Sequence, residues 1–391
     1  MAVNLTSADL ALKSYYLDAI AEQLDKSVNP FYAMIKKSEK DVYGKDVKKL
    51  VTCGVNGGVG AGAEDGELPQ AGGNLYKELT LTLKNLYGTV EISDKAVRAA
   101  AGDAGRFVNL LSAEMDGLLK SAKYNFGRML FGDGSGKLAT VKSITGGVIT
   151  VDSAKYLEEN MTIDFFDMLG DPFSPNIRRR IVSVDKEKNT FRVDGAVLTE
   201  TAVPADSTVG VQGAGANELT GLKALFGDSM YLYGLNRSQN AWLKPYEKAV
   251  EGDITELDIQ TALDDIEERC GSKIDLILCS LGVRRALQKM FSEQSARLES
   301  MELAGGYKAM SYNGIPIVAD RFCDGGTMYL VNTADFTLCQ LCDWQWLEGE
   351  DGSVLRQVPG KPVYSATLVK YADLLCERPC GQGRITGITE I

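Results

Sequence analysis

Eight cysteines and no histidine bound the chemistry open to this chain. Without an imidazole there is no Ser-His-Asp or Cys-His nucleophile and no His-ligated zinc. Nor is there a histidine base near neutral pH. Any catalysis would rest on carboxylates, lysine, tyrosine or cysteine. The cysteines stand at Cys53, Cys270, Cys279, Cys323, Cys339, Cys342, Cys376 and Cys380. Cys339-Gln-Leu-Cys342 and Cys376-Glu-Arg-Pro-Cys380 have the outward look of two zinc half-sites. The run 337–346, however, alternates as a strand does and holds no glycine to shape a metal-binding knuckle. Residues three apart on a strand point to opposite faces. The pairs therefore read as small buried side chains, reduced in a chain made in the cytosol.

Other motifs fail on their surroundings. Gly58-Val59-Gly60-Ala61-Gly62-Ala63 follows a strand pattern and has the form of a relaxed dinucleotide fingerprint. Glu64, Asp65 and Pro69 stand where a helix must begin, so they would repel a pyrophosphate and deny it a helix N-terminus. Gly132–Lys137 ends in Gly-Lys like a phosphate loop, but Leu138 replaces the needed Ser or Thr and a helix precedes it. It reads as a helix stop. Asp264-Asp265 and Glu267-Glu268 are adjacent acids on an exposed helix face with no second ligand cluster. Arg178-Arg179-Arg180 offers a phosphate contact, but reads better as an exposed strand edge guarded by charge. No catalytic residue, cofactor or metal site is expected.

The elements are more informative than the motifs. With 391 residues and 45% hydrophobic content, two or three cored domains fit. The net charge of −11 argues against nucleic-acid binding through an overall basic face. No apolar run is long enough to span a membrane. Met1–Leu12 lacks the pattern of a secretory signal, so synthesis in the cytosol is expected.

Thr6-Ser7-Ala8-Asp9 reads as the cap of a helix over Ala8–Leu24, broken at Asn29-Pro30. Phe31–Ile35 is an apolar knot before the lysine-rich stretch Lys36–Lys49, read as a solvated face. Asp46–Val55 and Leu75–Ile92 have strand character and read as a long hairpin. Its glycine-rich, lysine-free tip, Asn56–Asn74, is expected to be mobile when the chain is alone.

A single long helix follows over Arg106–Phe131, with Phe107, Leu110, Leu111, Met115, Leu118, Leu119, Ala122, Phe126, Met129 and Leu130 at helical spacing. At 1.5 Å per residue it is about 39 Å long. Six short strand patterns in Lys137–Gln212 predict a small antiparallel barrel. A helix over Asp253–Arg269, ended by Gly271, opens an α/β or α+β lobe that runs to Val331. Ile274–Cys279, Gly314–Asp320 and Thr327–Val331 are its strands, and Ser280 caps a second helix. Phe336–Trp346, Val354–Gln357 and Tyr364–Cys376 finish the chain as one long sheet. A hairpin that reaches away from its own body reaches toward a neighbour, which points to a chain built to assemble.

From Gly221 onward the order of elements resembles the major capsid proteins of tailed double-stranded-DNA bacteriophages. The stretches that carry the resemblance are Gly221–Phe226, Tyr233–Ser238 before Trp242 and Pro245, Asn313–Ile317, Thr327–Asn332, Leu374-Leu375 with Arg378-Pro379, and Ile385–Ile388. The order of arm, extended loop and long helix matches in the N-terminal third. The motifs are degenerate and their order is what is specific.

The resemblance implies an α+β fold of this capsid type, shared with encapsulin shells. Its parts would be an N-terminal arm (1–45), an extended hairpin loop (46–92), a peripheral domain with a spine helix (93–136), an inserted β-barrel (137–212), a return and linker (213–252), an axial domain (253–335) and a peripheral sheet (336–391). It implies a non-enzymatic homo-oligomer of hexamers and pentamers in an icosahedral head assembled in the host cytoplasm. Scaffolding, portal and decoration proteins are implied partners, with packaged DNA held by weak contacts and no membrane. Val59, Glu64, Asp65, Glu67 and Leu68 on the hairpin tip become the candidate contacts to the next subunit.

Three rivals share parts of the pattern: an encapsulin-like compartment enclosing cargo enzymes, a carboxylate- or lysine-based enzyme, and a tail or adhesion protein. Some capsid relatives join a loop lysine to an asparagine of the next subunit with a glutamate's help. Here Lys48, Lys49 and Lys77 lie down the hairpin, away from its tip.

Overall fold

The computed structural model describes residues 29–40, 42–95, 104–167, 169–173, 178–293, 299–303, 307–349 and 352–391. The helix expected over Ala8–Leu24 lies outside them. The chain divides into two compact units, one of residues 1–131 and 225–391 and one of residues 132–224.

The smaller unit is built on a closed six-stranded barrel. Around it run Lys137–Thr145, Thr208–Val211, Thr162–Phe166, Arg179–Asp185, Thr190–Val193 and Val148–Val151, which pairs back to the first. Alternation puts one face of each strand inside. Val141, Ile149, Ile163, Phe165, Phe191 and Val209 fill the interior. The Thr145–Val148 turn has Gly146 and Gly147 both at positive φ, as a two-residue hairpin turn requires. The arginine run departs from its expected role. Arg179 and Arg180 pair with Thr162–Phe166 on one side, and their strand pairs with Thr190–Val193 on the other. A closed barrel has no edge to guard. Arg180 is exposed and lies 3.7 Å from Asp194, while Arg179 is part buried, on the face of the strand that it shares with buried Ile181.

In the larger unit, Val363–Cys376 is the spine of a long sheet. It pairs antiparallel with Phe336–Trp346 over its C-terminal half and with Lys84–Ser93 over residues 363–372. Lys36–Ser38 adds a parallel strand at the edge. The strand expected over Leu75–Ile92 is therefore two. Leu75–Thr82 pairs with Asp46–Cys53 in the hairpin, and after Leu83 the chain enters the long sheet. Asn29-Pro30 starts a short helix, Pro30–Met34; the helix that it was expected to break lies outside the described residues. Asn29 Oδ1 accepts the Tyr32 amide at 2.7 Å, and proline at the first turn gives up no helical hydrogen bond.

The long helix, Ala104–Phe131, lies on the sheet. Met115, Leu119, Phe126, Met129 and Leu130 are buried, repeating at three and four residues. Gly88 lets the two approach, since a Cβ there would stand 3.0 Å from Leu118 Cδ1. Phe126 meets Tyr32 at 5.2 Å and Trp344 at 6.2 Å between ring centroids, and Phe31 meets Phe336 at 5.3 Å. Edge-to-face packing of this kind adds to the gain from area alone.

Within the same unit a seven-stranded sheet runs Tyr246–Gly252, Gly383–Ile388, Met328–Val331, Leu276–Cys279, Ile315–Ala319, Tyr307–Tyr312, Glu299–Leu303. The lobe thus includes Tyr246–Gly252 and Gly383–Ile388 from outside 253–335. The helices Glu256–Cys270 and Leu281–Glu293 pack on it. Thr255 and Asp258 form a capping box, and Gly271 at φ 60° closes the first helix in the left-handed conformation.

Candidate assembly interface

The hairpin divides into a root held by the chain's own unit and a tip that is not. Asp46–Cys53 and Leu75–Thr82 pair in unbroken register from Asp46–Thr82 to Cys53–Leu75. Alternation buries Val47, Val51 and Cys53 on one strand and Leu79 and Leu81 on the other. The opposite face shows Lys48, Leu50 and Thr52 to solvent. Lys49 reaches Glu377 at 3.6 Å.

Tyr233 fastens the root. Its carbonyl accepts the Thr80 amide at 3.0 Å. Its phenol donates to the Leu374 carbonyl at 3.3 Å and accepts the Cys376 amide at 3.1 Å. One residue thus ties the hairpin to the end of the long sheet. It does so at φ 49°, a conformation unusual for a bulky side chain. Burial pushes its phenol well above the ordinary tyrosine value, so it remains a neutral donor.

Beyond the paired strands the tip has a shape of its own. Asn56 Nδ2 donates to Asn74 Oδ1 at 3.0 Å across its neck, and Asn56 Oδ1 accepts the Gly58 amide at 2.9 Å. The two legs touch just above. A Cβ on Gly72 would lie 2.2 Å from the Gly58 nitrogen, so glycine is a steric requirement there. Gly66 closes the end of the tip onto the Ala63 carbonyl at 3.0 Å. Val55, Leu68 and Val59 are 91%, 90% and 89% exposed, more than any other large apolar side chain among the described residues. Glu64, Asp65 and Glu67 are exposed on the same tip. The structure therefore brings all five candidate contacts to one loop and gives none of them a place in the core.

Two short segments carry the chain between the sheets of this unit. Thr333–Asp335 joins Met328–Val331 to Phe336–Trp346, and Pro379–Gly381 joins Val363–Cys376 to Gly383–Ile388. A polar network knits them. Asp335 accepts from Gln382 at 3.0 Å and from Arg378 at 3.4 Å. Gln382 Oε1 accepts the Asn332 amide, whose side chain donates to Ser272 Oγ. Burial raises the Asp335 carboxyl above the ordinary aspartate value, against the pull of Arg378 and Gln382.

Lys370 is a further functional candidate that the sequence did not disclose. Its side chain is wholly buried, over Phe126 at 5.4 Å, and donates to Gln340 at 2.9 Å and Asp343 at 2.5 Å. Burial pushes the Asp343 carboxyl up, but the Lys370 ammonium and the hydrogen bonds to Asp343 bring it below the ordinary value. The pair locks the sheet beneath the long helix.

No protein-family model and no curated protein sequence matches the chain. Among solved structures, the capsid asymmetric unit of cyanophage A-1(L) superposes with a TM-score of 0.55 at 12% identity, over 93% of this chain and 94% of that one. The chain has the tailed-phage major capsid fold. The holo-SrpI encapsulin complex of Synechococcus elongatus gives a TM-score of 0.47 at 9% identity, over 93% and 89%. The capsid of a native GTA particle gives 0.47 at 11%, over 93% and 91%. The arrangement above amounts to a fixed root, a shaped tip and two knitted crossings. Among the described residues no group of three or more His, Cys, Asp or Glu side chains is placed to hold a metal ion. No helix among them is long and apolar enough to cross a membrane.

Proposed function

We propose that this chain is the major capsid protein of a tailed double-stranded-DNA phage, a structural subunit that self-assembles into the icosahedral head. The observation that carries this reading is the hairpin tip. It exposes Val55, Val59 and Leu68 almost fully on a chain with the capsid fold. Burying such a side chain contributes about 1.5–3 kcal/mol, and only a partner surface can bury these. Repeated around closed rings, many modest contacts of this kind give a stable shell.

In this reading Val59, Glu64, Asp65, Glu67 and Leu68 contact the next subunit in hexamers and pentamers. The hairpin root, long helix and long sheet act as the peripheral region, the seven-stranded lobe as the axial region and the barrel as an inserted domain. Scaffolding, portal and decoration proteins would be its further partners, DNA its weakly held content, and the virion its location after assembly in the host cytoplasm. The chain's role is structural rather than enzymatic.

Electron microscopy of particles purified from cells expressing the chain with its phage partners tests this. Closed heads containing double-stranded DNA support it. Shells filled with enzyme cargo favour the compartment reading instead, and particles of no closed form contradict both.

A further inference from the structure

Cys376-Glu-Arg-Pro-Cys380 does not act as one unit in the fold. Cys376 ends a strand of the long sheet and is completely buried. Cys380 lies in the turn Pro379–Gly381 that crosses to the seven-stranded sheet. The turn lies against the end of the lobe helix, whose last residue is Cys270, 110 positions earlier. The surroundings hold them together: Arg378 Nη1 donates to the Cys270 carbonyl at 3.4 Å, and a Cβ on Gly381 would stand 2.7 Å from Ser272 Oγ. Both are free thiols and both are only part buried, whereas Cys376, Cys279 and Cys323 are buried.

We infer that Cys270 and Cys380 are a redox-controlled staple that forms a disulfide when the chain meets a small-molecule disulfide oxidant. A thiolate from one cysteine attacks the oxidant, releasing one reduced thiol and leaving a mixed disulfide. The second cysteine then attacks that sulfur and releases the other reduced thiol. The two cysteine protons leave with the two released thiols, and the two cysteine sulfurs are oxidised as the oxidant is reduced. Burial, together with the Cys270 contact, pushes the Cys380 thiol up to about 12, so the reaction is slow at neutral pH and faster in mild alkali. The cross-link would tie the end of the lobe helix to the crossing between the two sheets, and it does not depend on the shell reading.

The test uses the full chain, purified reduced, then incubated with excess oxidised glutathione at mildly alkaline pH, denatured and alkylated. Alkylatable thiols should fall from eight to six, with a linked peptide pair carrying Cys270 and Cys380. The thermal midpoint should rise, and reduction should reverse the rise. Cys380→Ser should instead leave Cys270 carrying a glutathione adduct. Eight free thiols after prolonged oxidation would overturn the inference. So would stable glutathione adducts on Cys270 or Cys380 of the unaltered chain, or a linked peptide joining Cys376 to Cys380. Each of these is read on the unaltered protein, so a variant that fails to fold leaves the test intact.

Discussion

The Tyr233 phenol accepts the Cys376 amide at 3.1 Å, joining a left-handed turn to the last residue of the sheet's longest strand. The same tyrosine's carbonyl takes the Thr80 amide. The root of the hairpin and the end of the long sheet therefore share one support.

Tyr233→Phe keeps the ring and removes that support. It leaves the Cys376 N–H and the Leu374 carbonyl without this partner in a buried place, at a cost of about 1–3 kcal/mol. Chemical denaturation should show the midpoint falling with an unchanged slope. An unchanged midpoint would mean that the phenol carries no net stability.

Asp343→Ala should destabilise more than Lys370→Met. Removing the carboxylate leaves a wholly buried ammonium with Gln340 as its neutral partner, and breaking a buried pair in this way costs about 3–5 kcal/mol. Methionine keeps the length of the lysine stem and carries no charge. Denaturation of both variants decides it; equal losses would contradict the account.

The pH dependence has a definite sign. Asp343, Asp152 and Asp258 are all held below the ordinary aspartate value of 3.8. A carboxyl depressed in the folded state contributes stability above its unfolded value, and that contribution is lost as pH falls through the folded one. Stability should therefore drop below about pH 4. Asp343→Asn should drop less steeply there. Asp335 acts in the opposite direction: its raised value favours the folded state at low pH, and that contribution is lost as pH rises through it. Asp335→Asn should remove this opposing slope. Urea titrations across pH check both signs.

Removing Val59–Ala71 and joining Gly58 to Gly72 tests the tip. The two glycines already touch, so the neck at Asn56 and Asn74 can close unchanged. Monomer stability should stay within about 1 kcal/mol, because the deleted residues give the core no buried apolar side chain. Shell yield should fall. A deleted chain that cannot fold would place the tip in the core.

Much of this fold was legible in the sequence where one rule acted alone. The strand Phe336–Trp346 coincides with its pattern residue for residue, and all six barrel strands fall within Lys137–Gln212, as the alternation there predicts. The break at Leu83 did not show, because Leu79, Leu81 and Leu83 keep one alternation while the chain changes sheets. Glu299–Leu303 and Tyr307–Tyr312 were missed, since strand pairing overrode a weak local pattern. Tyr233 and Lys370 escaped for a shared reason. A bulky residue at positive φ and a lysine with no exposure both run against the rules that sequence reading applies. Only the signal of an aromatic before glycine in a turn, Tyr233-Gly234, pointed to the first. The tip's glycines could be read as loop formers. That Gly72 must be glycine because Gly58 lies against it needed the structure.

Sedimentation velocity of the expressed chain reads assembly itself. A capsid subunit should give a fast, narrow boundary of closed shells, lost in the chain lacking Val59–Ala71 while its monomer stays folded. A slow boundary of monomer alone, at every salt concentration and with scaffold co-expressed, would contradict it.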